Sequence, residues 1–209
     1  TYTTRELLKY NKKKWGHFLK SQCLLHFLLY LITFPLILTL FIFKIMPWNL
    51  VVLFFLILFF EHVTLELSRL LITLNNQINS SVVIFFRSGF WCVGISLLMF
   101  FFEKLRTIEY ILLSWIFSLI IALIISLFFL NKINIGGWDK SLNYKWIKKG
   151  LNIAIPFLIS TLIIRAIFTL DRYWIEFHLG SDILGVYVLF IGFVSSILTF
   201  MDAGVFSFS

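Results

Sequence analysis

Charged side chains are scarce in this sequence. They make up 13% of the 209 residues, whereas soluble domains carry about 25%. Hydrophobic residues account for 60% of the chain, and the mean hydropathy is +0.97. A globule of this size always leaves a large outer surface, so it cannot hide this much apolar material from water. The shortage of charge argues against a soluble enzyme and predicts a protein whose solvent is lipid.

Signatures of catalysis and metal binding are also lacking. The two cysteines, Cys23 and Cys92, both lie inside apolar runs, where a cysteine usually behaves as an inert small hydrophobic residue. The four histidines are scattered, and the chain has no nucleophile elbow, no glycine-rich phosphate loop and no carboxylates paired at catalytic spacing. We therefore expect no catalytic residues, no metal, no cofactor and no enzymatic activity.

Long apolar runs are what the sequence does contain. A helix needs about 20 apolar residues to cross a membrane core about 30 Å thick, whereas barrel strands alternate and run for only about ten residues. The sequence therefore predicts an all-α, polytopic membrane protein with about six transmembrane helices. The predicted spans cover residues 21–43, 48–70, 80–102, 108–130, 151–171 and 183–204.

Lysine and arginine are concentrated on alternate connections. Residues 1–20 hold five lysines and one arginine, and residues 131–150 hold five lysines. Residues 173–182 hold only acidic and neutral side chains apart from one histidine. The positive-inside rule then places residues 1–20, 71–79 and 131–150 in the cytoplasm. Basic loops that meet anionic lipid headgroups explain the net charge of +8 without a nucleic-acid partner.

The connection over residues 131–150 is the one long link between spans. It carries Trp138 and Trp146 among its lysines, a mixture typical of a helix that lies in the membrane interface. We predict such an interfacial helix here and a boundary between two halves of the protein.

Four polar side chains interrupt the fifth predicted span on one helical face. An ionisable group there costs at least about 2.5–3.5 kcal/mol, so it usually faces protein or a water-filled cavity. Two guanidiniums two turns apart can hold a phosphate-like anion. In the alternative interpretation, Arg172 reaches the outer surface and pairs with Glu176. The four residues are Thr161, Arg165, Thr169 and Arg172.

The second and third predicted spans carry charges as well. His62, Glu66 and Arg69 share one face at steps of four and three, and Glu61 points elsewhere. They can form an ion-pair network near the cytoplasmic end, or a gate or proton site. Arg87 lies at a depth close to that of Glu61, which predicts a pair across helices.

Residues 150–193 carry a series of short motifs. They resemble the seventh and eighth helices of Wzx-type polysaccharide (O-antigen) flippases, of the multidrug/oligosaccharidyl-lipid/polysaccharide exporter superfamily. The opening stretch TYTTRELLKYNKKK is similar to the basic cytoplasmic connection between the family's second and third helices. The motif residues are Pro156, Asp171 with Arg172, Leu179 with Gly180, and Gly185 with Tyr187.

The resemblance implies one half and the start of another in a two-lobe transporter of twelve to fourteen helices. Residues 1–130 would hold the third to sixth helices of the N-terminal lobe. Residues 131–150 would be the basic cytoplasmic linker between lobes, and residues 151–209 would begin the C-terminal lobe with helices seven and eight. Because the chain opens without methionine and stops just after an apolar run, we expect an internal piece of such a protein.

The function that the resemblance implies is export of undecaprenyl-pyrophosphate-linked repeat units for surface polysaccharide. The transporter would flip them across the bacterial cytoplasmic (inner) membrane by alternating access, with membrane lipids and other polysaccharide assembly proteins as partners. Arg165 is the first choice to receive the pyrophosphate, followed by Arg172 and Arg87, with Thr161 and Thr169 beside them. Residues assigned to gating or ion coupling are Glu61, His62, Glu66, Arg69 and Asp171.

Two other functions compete with this one. A cation-coupled drug or metabolite antiporter of the same superfamily would favour carboxylates over arginines in its cavity. A polysaccharide polymerase or acyltransferase would build its site on long external loops, whereas the predicted outward loops are short. Both patterns favour the flippase.

Overall fold

Helices form all the regular structure in the described part of the chain. The computed structural model describes residues 6–10, 14–133, 135–139 and 141–205. The all-α prediction is confirmed for these residues. The helices are α1 (Trp15–Ile42), α2 (Val51–Thr73), α3 (Gln77–Phe85), α4 (Trp91–Phe101), α5 (Ile108–Asn131), α6 (Tyr144–Leu179) and α7 (Ser181–Val205).

Five helical segments in the described residues are long and apolar enough to cross a membrane, which makes the chain a multi-pass membrane protein. The sixth predicted span, residues 183–204, is helical within α7. Its described apolar stretch, Ser181–Ser195, is shorter than a crossing requires. The five segments are Trp15–Ile42, Trp48–Thr73, Gln77–Phe101, Ile108–Asn131 and Tyr144–Leu179.

Two of the predicted spans are shorter than the helices that contain them. Helix α1 begins at Trp15 rather than at residue 21, and α6 extends beyond residues 151–171 at both ends, to 36 residues. At 1.5 Å per residue α6 is about 54 Å long, well over the thickness of a membrane core. Hydropathy reports only the part of a helix that lies in lipid, whereas backbone hydrogen bonding carries the helix on into the polar region.

The third predicted span is not a uniform α-helix. A π-helical turn over Phe86–Phe90 separates α3 from α4. Two serines of α5 donate hydrogen bonds to carbonyls at this turn, Ser118 to Phe86 and Ser114 to Trp91, the latter at 3.4 Å. Insertions of this kind often lie at functional sites, and this one contains Arg87.

Helices α2, α3 and α5 pack together through small and aliphatic side chains. Ile57 meets Ile116 and Leu119 in one cluster, and Leu71 meets Val83 and Ala122 in a second. Small residues let membrane helices approach closely, and hydroxyls bridge them. The hydroxyl of Ser80, for example, donates to the Ser68 carbonyl at 3.0 Å.

The chain divides into two compact units, Thr1–Gly150 and Leu151–Ser209, called here the N-terminal and C-terminal units. The connection over residues 131–150 belongs to the first. The amide of Gly16 donates to the Gly136 carbonyl at 2.8 Å, and the amide of Asn143 donates to the Ser21 hydroxyl at 3.1 Å.

The predicted interfacial helix in this connection is not present in its described residues. Residues 141–143 are not helical, and residues 144–150 are the first turns of α6. Trp146 is 7% exposed and packs against Phe18, with ring centroids 5.7 Å apart. Trp146 therefore contacts protein, whereas Trp138 is 49% exposed.

Candidate functional site

Glu61 of α2 and Arg87 of the π-turn form an ion pair inside the N-terminal unit. Arg87 Nη1 lies 3.5 Å from Glu61 Oε1, and their side chains are 14% and 35% exposed, respectively. The pair expected from their matching depths is therefore formed. Each residue supplies the charge that the other needs in a region of low polarity.

Three polar atoms of this pair and its surroundings are buried: Glu61 Oε2, Arg87 Nε and the indole nitrogen of Trp115. The indole interacts with the Glu61 carboxylate, whereas Arg87 Nε has no hydrogen-bond partner among the described residues. Trp115 lies beside the Glu61 carboxylate and stacks on Trp91, with centroids 5.0 Å apart and planes at 12°. The pair therefore lies beside two stacked indole rings, and it joins α2 to the π-turn.

A second polar group lies between α1 and α2 and is centred on Glu66. Gln22 Nε2 donates to Glu66 Oε2 at 2.7 Å, and Arg69 Nη1 donates to Glu66 Oε1 at 2.6 Å. Both carboxylate oxygens are therefore engaged. This is the ion-pair network that the spacing of Glu66 and Arg69 allowed, completed by a glutamine from the neighbouring helix.

Two histidines continue this group along the same pair of helices. The rings of His26 in α1 and His62 in α2 are 4.5 Å apart in an edge-on arrangement. The Tyr30 hydroxyl forms a hydrogen bond with His62 Nδ1. His26, His62 and Tyr30 are all half-buried.

Three members of this group were not among the predicted site residues: Gln22, His26 and Tyr30. They lie four residues apart on α1 and therefore share one face. The same step of four separates His62 from Glu66 on α2. Two matching ladders of polar residues on consecutive spans were the signal that could have predicted the contact.

The ladders border a cavity of about 290 Å³. Its polar walls come from His26, Tyr30, His62 and Glu66, and its apolar walls include Phe27 and Phe59. It therefore combines an apolar body with a few converging polar groups, as ligand sites do. We refer to this space and its polar residues as the α1–α2 groove.

The polar stripe of the C-terminal unit differs from both groups. Arg165 and Arg172 are exposed, and neither side chain has a hydrogen bond or ion pair among the described residues. The predicted alternative, a pair between Arg172 and Glu176, does not form there. Both threonine hydroxyls donate back to their own helix, from Thr161 to Phe157 at 2.8 Å and from Thr169 to Arg165 at 2.6 Å.

Asp171 belongs to a separate contact. Its Oδ2 accepts a hydrogen bond from the Tyr187 hydroxyl, which ties α6 to α7, and its Oδ1 accepts from the backbone amide of Arg172 at 2.8 Å. At about 100° per residue, Arg165 lies about 120° around α6 from Asp171. Arg165 therefore lies on a different face of α6 from the residue that contacts α7.

Exposed aromatic side chains follow the stripe along α6. Tyr173, Trp174 and Phe177 are 67%, 70% and 83% exposed. Arg165 precedes Tyr173 by eight residues, about 12 Å along the helix, whereas Arg172 is adjacent to Tyr173.

The predicted site residues thus fall into three places. Glu61 joins Arg87. His62 and Glu66 line the α1–α2 groove, and Arg69 pairs with Glu66 and lines the adjoining cavity. The stripe on α6 stands alone, with Asp171 on another face. No group of three or more potential metal ligands occurs in the part of the chain that the structure describes.

Comparison of the chain with protein-family models, with curated proteins and with solved structures gave no match.

Proposed function

We propose that this protein acts as a membrane transporter of the polysaccharide flippase type, which carries a pyrophosphate-linked oligosaccharide lipid across the bacterial cytoplasmic membrane. The observation that carries the proposal is the cationic stripe on α6. In this proposal Tyr173, Trp174 and Phe177 lie at the membrane surface, and Arg165 lies about 12 Å deeper, near the middle of the membrane core. Arg165 has no protein counter-charge among the described residues. The six-span topology, with residues 1–20, 71–79 and 131–150 in the cytoplasm, is part of the same proposal.

An anionic ligand would compensate the stripe. Arg165 and Arg172 are seven residues apart, about 10.5 Å along the helix, and their long side chains can converge on one group between them. A guanidinium offers a planar fork of donors that matches phosphate oxygens. The hydroxyls of Thr161 and Thr169 already donate to the backbone, so the two arginines would supply the binding donors.

Three carboxylates within the helices are engaged by donors, which favours an anion over a cation as the substrate. Glu61 is paired with Arg87, and Glu66 with Arg69. Asp171 accepts the Tyr187 hydroxyl. A cation antiporter would need a carboxylate free to bind its substrate, whereas each of these three is engaged by a donor.

The test is an Arg165→Ala substitution in the full-length gene, with surface polysaccharide and protein level followed together. We expect surface polysaccharide to fall at least tenfold at normal protein level, because the pyrophosphate loses its mid-membrane donor. The matched control is Arg106→Ala. That guanidinium donates to the Met99 carbonyl at 3.0 Å and lies 3.6 Å from the Glu103 carboxylate, both within the N-terminal unit. Normal polysaccharide in Arg165→Ala cells with normal protein level would overturn the proposal.

A further inference from the structure

The two imidazoles of the α1–α2 groove are close enough to share a charge. The centroids of His26 and His62 are 4.5 Å apart, and each ring comes from a different helix. Two positive charges at such a distance repel strongly where water is scarce. The pair can therefore hold one proton, whereas a second proton would meet the charge of the first.

The groups around the pair are close to neutral in sum. Glu66 carries a negative charge one turn from His62, and Arg69 balances it at 2.6 Å. Tyr30 and the exposed thiol of Cys23 complete the titratable side chains of the groove. The segment over residues 6–10 adds Leu7 to the adjoining cavity, and its Glu6 and Lys9 pair with each other at 2.7 Å. Among the described residues that line the groove, a proton on the histidines would then be the uncompensated charge.

Protonation would change the bond that joins the two helices. While His62 is neutral, the Tyr30 hydroxyl can donate to its Nδ1. A hydronium ion that gives its proton to Nδ1 leaves water behind, and that nitrogen becomes a donor. The Tyr30 oxygen must then accept, and its own hydrogen must turn to another acceptor. One proton thus reverses the polarity of a bond between α1 and α2.

The two ends of the α1–α2 contact differ in polarity, so reversal of the Tyr30–His62 hydrogen bond affects only one of them. Towards the Phe41 end the helices meet through aromatic rings, with Phe34 and Phe55 at 5.0 Å and Phe41 and Phe54 at 5.7 Å. At the other end they meet through the polar groove. Protonation leaves the aromatic contact unaltered and acts only on the polar one, so the helices can hinge about their aromatic end.

We propose that His26 and His62 together bind one exchangeable proton, and that this proton is the ion coupled to transport. The second clause rests on the proposed function, whereas the first does not. The proton would enter through the groove, reside on either imidazole and control how tightly the polar ends of α1 and α2 are joined.

The proton site is tested by nuclear magnetic resonance on the full chain in detergent, with ¹⁵N-labelled histidine. We expect the ¹⁵N chemical shifts of both rings to change between about pH 5 and 8, where imidazoles titrate. Each ring should show about half of the change that a fully protonated histidine shows. In His26→Asn protein, His62 should show the full shift. The matched control is His178→Asn, because His178 contacts Trp174 and Phe177 in the other unit. Full shifts at both rings of the unsubstituted protein, or none at either, would overturn the proposal.

The coupling is tested by proton uptake in sealed liposomes that contain the full-length transporter, with farnesyl diphosphate as the added lipid. Uptake on lipid addition should fall at least tenfold in His26→Asn and stay normal in His178→Asn. Uptake that is unchanged in His26→Asn would overturn the coupling. If Arg165→Ala cells make normal polysaccharide but the half-shifts are seen, the proton site stands and the proposed function fails.

Discussion

The N-terminal and C-terminal units place the same kinds of residue in opposite situations. In the N-terminal unit, two pairs of opposite charges form within the helices, Glu61 with Arg87 and Glu66 with Arg69. In the C-terminal unit, Arg165 and Arg172 lie on an exposed face without such a partner in the described residues. An arginine in a membrane helix can therefore join helices or be available to bind a ligand, depending on whether a carboxylate lies beside it.

The difference has a direct consequence for substitution. A charge that is paired inside a unit contributes to the stability of that unit, because its loss leaves the other charge exposed to a poorly polar environment. A charge without a protein partner contributes little to stability and can be replaced with little effect on folding. Substitution of a paired charge in the N-terminal unit should therefore lower the free energy of unfolding. Substitution of an arginine of the stripe should instead lower transport activity.

The largest effect should come from Gly16→Ala, which breaks the N-terminal unit without altering a charge. An added Cβ would lie 2.8 Å from the backbone nitrogen of Trp138 and 2.9 Å from the carbonyl oxygen of Gly136. Backbone atoms cannot move aside easily, so we expect a loss of about 3 kcal/mol in the free energy of unfolding, the upper end for overpacking. The measurement is denaturant unfolding in detergent.

Gly94→Ala is the matched control for this substitution. A Cβ at Gly94 in α4 meets nothing within 4 Å, and alanine is the better helix former by about 1 kcal/mol. Its stability should stay the same or rise. An equal loss in both variants would show that the close approach of Gly16 to residues 136–138 is not what matters.

The next effect in size should come from Arg87→Leu. The substitution leaves the Glu61 carboxylate without its counter-charge beside Trp115. Because Glu61 is 35% exposed, water offsets part of the penalty, and we expect a loss of about 2 kcal/mol in the free energy of unfolding.

The double variant Glu61→Leu with Arg87→Leu separates pairing from packing. It removes both charges, so it should recover most of the stability lost by Arg87→Leu alone. A double variant that unfolds as easily as the sum of its single variants would contradict the pairing.

A smaller effect is expected from Tyr187→Phe in the C-terminal unit. The substitution removes the hydroxyl that binds Asp171 between α6 and α7 and keeps the ring. We expect a fall in melting temperature that is smaller than that of Gly16→Ala. Tyr173→Phe is the control, because that ring is 67% exposed; a fall of the same size in both would contradict the helix-joining role of Tyr187.

The smallest effect on folding should come from Arg165→Ala. Because Arg165 has no ion-pair partner among the described residues, the free energy of unfolding of the variant should differ from that of the unsubstituted protein by less than about 0.5 kcal/mol, as for other exposed positions. A loss as large as that of Arg87→Leu would mean that the stripe is a structural element like the pairs of the first unit.

The architecture was the easier part to predict from sequence. Runs such as residues 108–130 are apolar throughout, and the membrane imposes helical structure on such runs; α5 accordingly spans Ile108–Asn131. The ends of α6 could not be found in the same way, because the helix continues beyond the apolar run. The π-turn was hidden as well, since it is stabilised by hydroxyls from α5 and not by its own sequence.

A polar contact could be predicted from the sequence only if both residues lie on one helix or if they lie at the same depth on neighbouring helices. The spacing of Glu66 and Arg69 predicted their shared face, and the depths of Glu61 and Arg87 predicted their pairing. His26 lies 36 residues before His62, and spacing within one helix does not show which neighbouring helix it will face. The α1–α2 groove therefore emerged only from the structure.

The most direct test of the difference between the units is the thermal stability of the purified full-length protein with and without farnesyl diphosphate. Binding to the folded state raises stability by about 2.7 kcal/mol at a ligand concentration 100 times the Kd. We predict a higher melting temperature with the diphosphate, no rise with farnesol, a rise retained in Arg106→Ala and none in Arg165→Ala. An equal rise in Arg165→Ala, or no rise in the unsubstituted protein, would contradict the account.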